Sequence, residues 1–361
     1  MWLERIDIRN ARNLAEVSLT LSPKFNIICG NNGSGKTSLL ESIYLLSCGK
    51  SFRTHRFSNI PMQGSLWMAV YAKLSGDHQR SIAVGLEYRD RKNIFKADGQ
   101  RLKKASELAN YLPVVAIHQE SQRVFTQSPK YRRAFLDWGV FHVERDFLSA
   151  WQNFNRSLKQ RNAALSQRGG RSNSVDHWNI ELSQNATLID FHRSRYLSRF
   201  MTLFNQCANQ LLLLDGEITV DYRRGWSDKE EYLAVLRSSF ARDLVMGYTQ
   251  KGPHRADIVF KVNGVPLHEY VSRGQQKLLV CSLYIAQAML YSQIVGRGSI
   301  FIIDDISAEL DSQHILNLMN LLNDLDTQVF VTTPADALLG GDLFPMTKTF
   351  HVEHGKVTEV L

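Results

Sequence analysis

The sequence is poor in cysteine and proline. Its four cysteines and eight prolines are spread over 361 residues, and no two cysteines form a C-x-x-C pair. The spacing therefore indicates neither a disulfide framework nor a zinc site, and the cysteines are typical of core positions. With 44% hydrophobic residues, the chain is long enough to bury a sizeable core, and its length indicates two domains or one domain with a large insertion.

Long apolar runs and targeting signals are also missing. The most apolar stretch, Leu278 to Tyr291, is too short and too polar for a membrane span. The first residues, MWLER, lack the basic-then-apolar layout of a signal peptide. We therefore expect a cytoplasmic protein without a membrane partner. Acidic residues are fewer than basic ones, with 35 Asp and Glu against 43 Lys and Arg. The resulting net charge of +8 favours polyanionic or acidic partners.

A glycine-rich loop lies between a strand pattern and a helix pattern near the start of the chain. It follows the apolar run Phe25 to Cys29 and reads G-x-x-x-x-G-K-T, with the residues Gly30, Asn31, Asn32, Gly33, Ser34, Gly35, Lys36 and Thr37. Such a loop turns backbone N–H groups and a helix N-terminus towards phosphates. We expect Lys36 to contact the β- and γ-phosphates of ATP and Thr37 to bind Mg²⁺. A chance glycine-rich turn is the alternative, and the strand and helix on either side argue against it.

An acidic pair follows a buried-strand pattern in the last quarter of the chain. The run Ser299 to Ile303 ends at Asp304 and Asp305, which is the Walker B arrangement. In this arrangement Asp304 holds Mg²⁺ together with Thr37, and Asp305 orients the attacking water. We therefore predict Lys36, Asp304 and Asp305 as the catalytic residues and Thr37 and Asp304 as the metal site. The simpler interpretation is that Asp304 only caps the next helix.

A second anion-binding pattern opens a helix at Ser272, Arg273, Gly274 and Gln275. A serine hydroxyl and free N–H groups at a helix start can bind a phosphate, but the glycine-rich loop already serves that purpose. The second site is explained if it binds the ATP of another copy of the chain, which predicts a two-fold dimer with two ATP molecules between the subunits. An ordinary N-cap at Ser272 is the alternative.

The remaining patterns predict an α/β protein in two lobes. Strand patterns surround the loop and recur between residues 252 and 360, whereas helical spacing of apolar residues dominates 147–165 and 189–214, around a polar loop at 168–174. We expect a nucleotide-binding lobe I of residues 1–120 plus 246–361 and a mostly helical lobe II of residues 121–245. The helical pair should be about 30 Å long, and another helix is expected at 228–244. The short alternating strand patterns between residues 68 and 97 predict an antiparallel meander.

Lobe II carries a basic segment. Residues 130–171 contain nine Lys or Arg and three acids, a local excess of six positive charges. Arginines spaced along helices suit non-specific contacts with DNA phosphates, although an ordinary charged surface gives the same pattern. The candidate DNA-binding residues are Lys130, Arg132, Arg133, Arg156, Lys159 and Arg161. Trp151 and Phe154 fall on the apolar stripe of the same helix and are expected in the core.

Taken in order, these motifs resemble ABC-type ATPase heads of the SMC and Rad50 group and, more narrowly, the RecF family of bacterial recombination mediators. The segments that carry the narrower resemblance are Arg12-Asn13, Gly49 to Arg53, Pro129 to Gly139, Lys159 to Asn162, Gly252 to Arg255 and Ser272 to Gln275. The resemblance covers the whole chain. It implies a P-loop ABC-type head with a mixed sheet and helices, and a mostly helical second lobe.

The resemblance also implies a function and further site residues. Members of this family are ATP-dependent dimers that bind single-stranded, gapped or junction DNA and act with RecR and RecO to help load RecA in recombinational repair and the SOS response. Among the site residues, Arg12, Asn13 and Gln119 would contact ATP, and Asp311 would belong to the loop between subunits. Three departures stand beside this. Asp305 is where ABC ATPases usually have Glu, which fits slow hydrolysis, Gln119-Glu120 is where the family often has Pro-Glu, and Thr332-Thr333 is where transporters have a switch His.

Three other classes of protein explain the motifs less well. The nucleotide-binding subunit of an ABC transporter would carry L-S-G-G-Q and would leave the basic helical segment without a role. A structural SMC-like tether needs hundreds of heptad residues, which 121–245 cannot supply. A small-molecule P-loop kinase would leave the Ser272 motif unexplained.

Overall fold

The computed structural model describes residues 2–76, 81–166, 175–212, 214–306, 310–334, 344 and 346–360. The chain divides into two compact units. Unit 1 contains Met1–Ser121, Cys207–Leu212 and Arg273–Leu361, and unit 2 contains Gln122–Gln206 and Leu213–Ser272. Residues 246–272, expected in lobe I, therefore belong to the second unit.

The strands are, in chain order, β1 (Trp2–Ala11), β2 (Leu14–Thr20), β3 (Phe25–Cys29), β4 (Trp67–Ser75), β5 (Ser81–Arg89), β6 (Lys92–Ala97), β7 (Gln100–Arg101), β8 (Val114–Ile117), β9 (Ile218–Arg223), β10 (Asp257–Val262), β11 (Val265–Pro266), β12 (Ile300–Ile303), β13 (Gln328–Thr333), β14 (Thr347–Glu353) and β15 (Lys356–Val360). The helices are α1 (Lys36–Cys48), α2 (Arg123–Thr126), α3 (Pro129–Val143), α4 (Phe147–Ser166), α5 (Asp176–Leu211), α6 (Tyr232–Ser238), α7 (Phe240–Met246), α8 (Leu267–Tyr270), α9 (Arg273–Val295) and α10 (Ser312–Asn323).

Unit 1 is built on a mostly parallel sheet of strand order β15-β14-β3-β13-β12-β8. Strands β14, β3, β13, β12 and β8 run parallel, and β15 is antiparallel to β14. All residues of β3, β8, β12 and β13 are buried, as expected for parallel strands that are covered on both faces. The loops after these strands therefore meet at one edge of the sheet, where α/β proteins bind ligands.

A second sheet in unit 1 has the order β2-β1-β4-β5-β6-β7 and is antiparallel throughout. Alternating buried and exposed residues in β2 and β4 show that one face packs into the core and the other faces solvent. The predicted meander of short strands is confirmed. It forms a separate sheet that shares a hydrophobic core with α1 and the parallel sheet.

The buried side chain of Gln328 joins the two sheets. Its Oε1 accepts from the Leu3 N–H at 2.8 Å, and its Nε2 donates to the carbonyl oxygens of Leu3 at 2.9 Å and Ser22 at 2.7 Å. Gln328 is 3% exposed, so these backbone groups have no access to bulk water. One side chain therefore satisfies polar groups at the start of β1 and after β2 from its position on β13.

Unit 2 combines helices with a three-stranded antiparallel sheet of order β11-β10-β9. Strand β10 pairs with β9 along its whole length, which is why the segment that contains β10 leaves the nucleotide lobe. Helix α4 has 20 residues and the predicted length, but α5 begins at Asp176 and has 36 residues, about 54 Å at the usual rise. The predicted loop at 168–174 lies outside the described residues.

Two sequence-based expectations for helices need correction. The helix predicted at 228–244 is divided into α6 and α7, because Ser239 begins a new first turn. The apolar stretch around Leu278 belongs to the 23-residue helix α9, which is long and apolar enough to cross a membrane. Within the described chain it is the one helix that passes this test, and 67% of its apolar window is buried inside the fold. Its apolar residues are explained by that burial.

We expect Gln328→Leu to lower the free energy of unfolding by about 3 kcal/mol, because the buried N–H and carbonyl oxygen of Leu3 would lose this partner, whereas the Ser22 carbonyl oxygen keeps its bond from Asn26. Denaturant unfolding at pH 7 measures this change. The matched control is Gln313→Leu on α10. Gln313 donates to Asn317 in a hydrogen bond that is exposed to solvent, so this change should alter the free energy of unfolding by less than about 0.5 kcal/mol. Equal stabilities of the two variants would contradict the bridging role of Gln328.

Candidate nucleotide site and basic surface

The glycine-rich loop lies between β3 and α1 at the carboxyl edge of the parallel sheet. Gly30, Gly33 and Gly35 have φ of +140°, +80° and +129°, which side-chain-bearing residues rarely adopt. A Cβ on Gly30 would lie 2.3 Å from the Val352 carbonyl oxygen, whereas one on Gly33 would meet nothing within 4 Å. The loop is therefore packed against β14 on one side and open at Gly33.

The polar side chains of the loop fit a phosphate ligand. The Lys36 ammonium donates to the carbonyl oxygens of Gly30 at 2.6 Å and Asn31 at 3.0 Å, so it lies across the mouth of the loop. The Ser34 hydroxyl is buried and, among the described atoms, has no hydrogen-bond partner. A buried hydroxyl beside an ammonium group and a strained glycine backbone is the chemistry of an anion site. Asn32 is exposed in the same turn.

Asn13 and Arg12, in the turn between β1 and β2, support the loop. Asn13 donates to the Ser34 carbonyl oxygen at 2.9 Å and accepts from the Ser38 hydroxyl at 2.9 Å. Arg12 forms a bidentate ion pair with Glu41 of α1, at 2.9 and 2.8 Å, and donates to the Asn59 carbonyl oxygen. The structure thus gives both residues a positioning role, and their predicted contacts with ATP stay predictions.

Asp304 is held between two threonine hydroxyls. Thr37 lies 3.0 and 3.1 Å from its two carboxylate oxygens, and Thr332 donates to one of them at 2.9 Å. Burial raises the pKa of the Asp304 carboxyl above its usual value, and these hydrogen bonds oppose the rise. The carboxylate therefore does not cap the following helix. It faces Thr37, as the Walker B assignment requires, and the two oxygen donors suit Mg²⁺.

Asp305 occupies a strained backbone position. Its φ is +59°, its N–H donates to the Thr332 hydroxyl at 2.7 Å, and its carbonyl oxygen accepts from Lys277 of α9 at 3.0 Å. Aspartate tolerates the left-handed region better than most residues, and such positions cluster at functional sites. The side chain is exposed beside Asp304, so it is accessible to a water molecule.

The other predicted site residues have the following places. Gln119 is exposed and starts a short 3-10 turn two residues after β8, at the same sheet edge as Asp304. Arg273 begins α9 and Gly274 and Gln275 lie in its first turn, with Ser272 directly before it. Asp311 caps α10 by accepting from the His314 N–H at 2.9 Å. Residues 307–309 of the loop before it lie outside the described residues.

Sequence reasoning missed three supporting residues. Glu41 is 1% exposed and joins Arg12 to Arg53, which lies near enough to Asp304 to oppose its raised pKa. The Thr332 hydroxyl bonds to the Asp304 carboxylate and to the Asp305 N–H, and Lys277 connects α9 with the Asp305 carbonyl oxygen. The only signals for them were a charged residue inside an apolar helix pattern and a threonine at a strand end. Neither is specific without the sheet order.

The basic segment of unit 2 is less exposed than its sequence indicates. Lys130 and Lys159 are exposed, and Arg156 is exposed although it pairs with Glu181. Arg132 pairs with Asp257, and Arg133 donates to the Ala256 carbonyl oxygen, so both guanidinium groups are used inside the unit. The predicted contacts of these two arginines with DNA stay predictions.

The prediction for Arg161 is wrong. This side chain is 0% exposed and forms a 2.8 Å ion pair with Asp243, with further bonds to Thr249 at 2.7 Å and Asn179 at 2.8 Å. A guanidinium group in this position cannot contact DNA and instead joins α4 to α7. The core assignment of Trp151 is also wrong, because it is 41% exposed, whereas Phe154 is buried as expected.

Comparisons with known proteins agree with this architecture. The family described as "RecF/RecN/SMC N terminal domain" matches residues 2–355. The DNA replication and repair protein RecF of Stutzerimonas stutzeri is 42% identical over 100% of this chain and 98% of its own length. RecF of Cellvibrio japonicus is 39% identical over 99% of each chain. The chain belongs to the RecF family.

Solved structures show the same fold. The recombination mediator protein RecF–ATP in the RecFOR pathway superposes with a TM-score of 0.90 at 23% identity, over 100% of this chain and 98% of that one. An SMC head bound to the C-terminal winged-helix domain of ScpA gives a TM-score of 0.60 at 15% identity, over 100% and 98% of the chains. The predicted ABC-type ATPase head of the SMC group is therefore confirmed for this RecF family member.

We expect Asp304→Asn to leave the nucleotide-free protein as stable as the unaltered protein or more stable. Since the folded-state pKa is raised, the ionised carboxylate costs stability above that pKa, and the neutral amide removes this cost. Thr37 and Thr332 can still donate to the amide oxygen. In thermal unfolding without nucleotide, the variant should be at least as stable as the unaltered protein. Mg²⁺-ATP should stabilise the unaltered protein but not the variant. A large loss of stability without nucleotide would contradict this account.

We expect Arg161→Ala to lower the free energy of unfolding by about 3–5 kcal/mol, because it leaves the Asp243 carboxylate buried and unpaired. Denaturant unfolding measures the change. Lys159→Ala, two residues away on the exposed side of α4, is the control and should stay within about 0.5 kcal/mol of the unaltered protein. A small effect at Arg161 would show that Asp243 reaches water.

Proposed function

We propose that this RecF family member is an ATP-dependent DNA-binding protein of recombinational repair and replication restart, which uses slow ATP hydrolysis as a switch. The observation that carries the proposal is the meeting of Lys36, Thr37, Asp304 and Asp305 at one sheet edge. Thr37 lies 3.0 Å from Asp304, although the two are separated by 267 residues in sequence. A glycine-rich loop alone would not require this arrangement.

Each residue of the site has a distinct task. The loop N–H groups and Lys36 would hold the ATP phosphates, and Thr37 and Asp304 would hold Mg²⁺, which neutralises phosphate charge when bound. Asp305 would orient the attacking water. Its carboxylate is one methylene shorter than the glutamate usual in ABC ATPases, and this favours slow turnover and a long-lived ATP-bound state.

The active form would be a dimer with ATP at the interface. Ser272, Arg273, Gly274 and Gln275 at the start of α9 would bind the ATP held by the partner subunit, and Asp311 would lie in the loop between subunits. Lys277 supports this arrangement, because it lies two residues after Gln275 and bonds to the backbone of Asp305. An event at the start of α9 can therefore be transmitted to the hydrolytic residue.

The names of the relatives support DNA and protein partners. The similar proteins are named DNA replication and repair proteins, and the similar solved structure is placed in the RecFOR pathway. For this chain we propose binding to single-stranded, gapped or junction DNA in the cytoplasm, together with RecO and RecR to help load RecA. Lys130, Arg156 and Lys159 remain the exposed phosphate-binding candidates of unit 2.

Two variants separate ATP binding from dimer formation. Lys36→Ala should weaken ATP binding about 10- to 100-fold, since a charge-assisted contact is lost. Ser272→Arg should keep the affinity for ATP but abolish ATP-dependent dimers, because the new side chain would occupy the site of the partner's γ-phosphate. Nucleotide titration measures the first property, and sedimentation with and without Mg²⁺-ATP measures the second.

The control is Ser292→Arg on the same helix, remote from its start, which should behave like the unaltered protein. Asp305→Asn should prolong the ATP-bound dimer by slowing hydrolysis. A monomeric Asp305→Asn protein in saturating Mg²⁺-ATP, or a dimer that survives Ser272→Arg, would contradict the proposed assembly.

A further inference from the structure

A turn in unit 2 exposes apolar side chains at its tip. We call residues 244–248 the apolar turn; it follows Asp243 in α7 and precedes Thr249. Val245 is 86% exposed, Met246 50% and Tyr248 37%, and Gly247 has a left-handed φ of +74°. A single exposed apolar residue is ordinary, but three in four consecutive positions make the turn a candidate interaction site.

The two ends of the apolar turn are fixed by buried polar groups. Asp243, 0% exposed, pairs with Arg161 and accepts from the Gln250 N–H at 3.2 Å. Thr249, 1% exposed, uses every polar atom: its N–H and hydroxyl bond to Asn162 at 2.8 Å, and its carbonyl oxygen contacts His254 at 3.1 Å. Burial lowers the pKa of His254 to about 4, so its ring is neutral at pH 7 and can donate this bond.

This network explains two sequence segments that the ATP site does not use. Lys159 to Asn162 supplies Arg161 and Asn162 from α4, and Gly252 to Arg255 supplies His254. Gly252 has a φ of +131°, and a Cβ there would lie 2.2 Å from the Tyr232 hydroxyl. Buried polar groups bonded to one another in this way fix one conformation, with His254 Nδ1 the one ring nitrogen of the network that has no hydrogen-bond partner among the described atoms. The exposed side chains of the apolar turn are therefore held in place before any ligand binds.

The sequence on either side of the apolar turn is basic. Residues 240–256 contain Arg242, Lys251 and Arg255 but one acid, Asp243, and that acid is buried against Arg161. Arg242 shares a helix face with Val245 and Met246 by its spacing. The Arg255 guanidinium lies 5.6 Å from the centre of the Tyr248 ring. Cations beside an aromatic ring and apolar side chains suit one ligand that carries both phosphates and flat apolar faces.

We propose that the apolar turn recognises an unpaired base where single-stranded DNA meets a duplex. Tyr248 and Met246 would stack on the base, Val245 would lie against the end of the duplex, and Arg242 and Arg255 would bind the flanking phosphates. The proposal rests on the proposed DNA-binding function and adds to it the structural feature of DNA that is read. A continuous duplex offers no unstacked base and gains nothing from the apolar turn.

The test is the double variant Val245→Ser/Met246→Ser in the full chain with Mg²⁺-ATP. Leu188→Ser is the matched control, because Leu188 is 46% exposed on α5 in the same unit. Fluorescence anisotropy gives the affinity for a gapped duplex and for a continuous duplex of equal length. The fluorescence of 2-aminopurine, placed as the first unpaired base of the gap, reports stacking. Thermal unfolding checks that both variants are folded.

We expect the double variant to bind the gapped duplex about tenfold more weakly, to bind the continuous duplex unchanged, and to lose the 2-aminopurine response. Leu188→Ser should match the unaltered protein. Unchanged gap affinity, an equal loss for both DNAs, or a loss confined to binding of a purified protein partner would overturn the inference and leave DNA binding itself intact. If the unaltered protein binds neither DNA, the proposed function fails as well.

Discussion

The nucleotide site depends on one contact, the approach of Thr37 to Asp304. Thr37 belongs to the glycine-rich loop after β3, and Asp304 follows β12, two strands away in the same sheet. Thr332, at the end of the intervening strand β13, binds Asp304 and the backbone of Asp305. The sheet order therefore brings the loops that follow β3, β13 and β12 together at one edge. The buried strands β3, β12 and β13 hold that edge in register.

The same site carries a cost in stability. A half-buried Asp304 with a raised pKa and a left-handed Asp305 both oppose folding. Ordering the loop glycines adds an entropic cost, because glycine loses more backbone freedom on folding than other residues. The surrounding core offsets it, through the fully buried parallel strands and the bridge that Gln328 makes between the sheets. Strain of this kind fits a site that is completed by a bound nucleotide.

Much of the fold could be predicted because its signals are local. Nearly every strand and helix pattern has its counterpart, and the glycine-rich loop and Asp304 lie where their motifs place them. Long-range pairing was not predictable: β10 joins β9 rather than the nucleotide lobe, and this moves the unit boundary to Ser272. The prediction that Arg161 contacts DNA was wrong for the same reason, since its partner Asp243 lies 82 residues away in the sequence. The sequence around a charged residue does not show whether a residue of opposite charge, distant in the sequence, lies next to it in the fold.

If ATP bound at this site controls DNA binding, a single titration will show it. The anisotropy of a labelled gapped duplex would be followed with increasing protein, with and without Mg²⁺-ATP, at two salt concentrations. We expect tighter binding with Mg²⁺-ATP and weaker binding at higher salt, because cations on the protein displace counterions from DNA phosphates. DNA affinity that is the same with and without nucleotide, or no binding in either state, would contradict it.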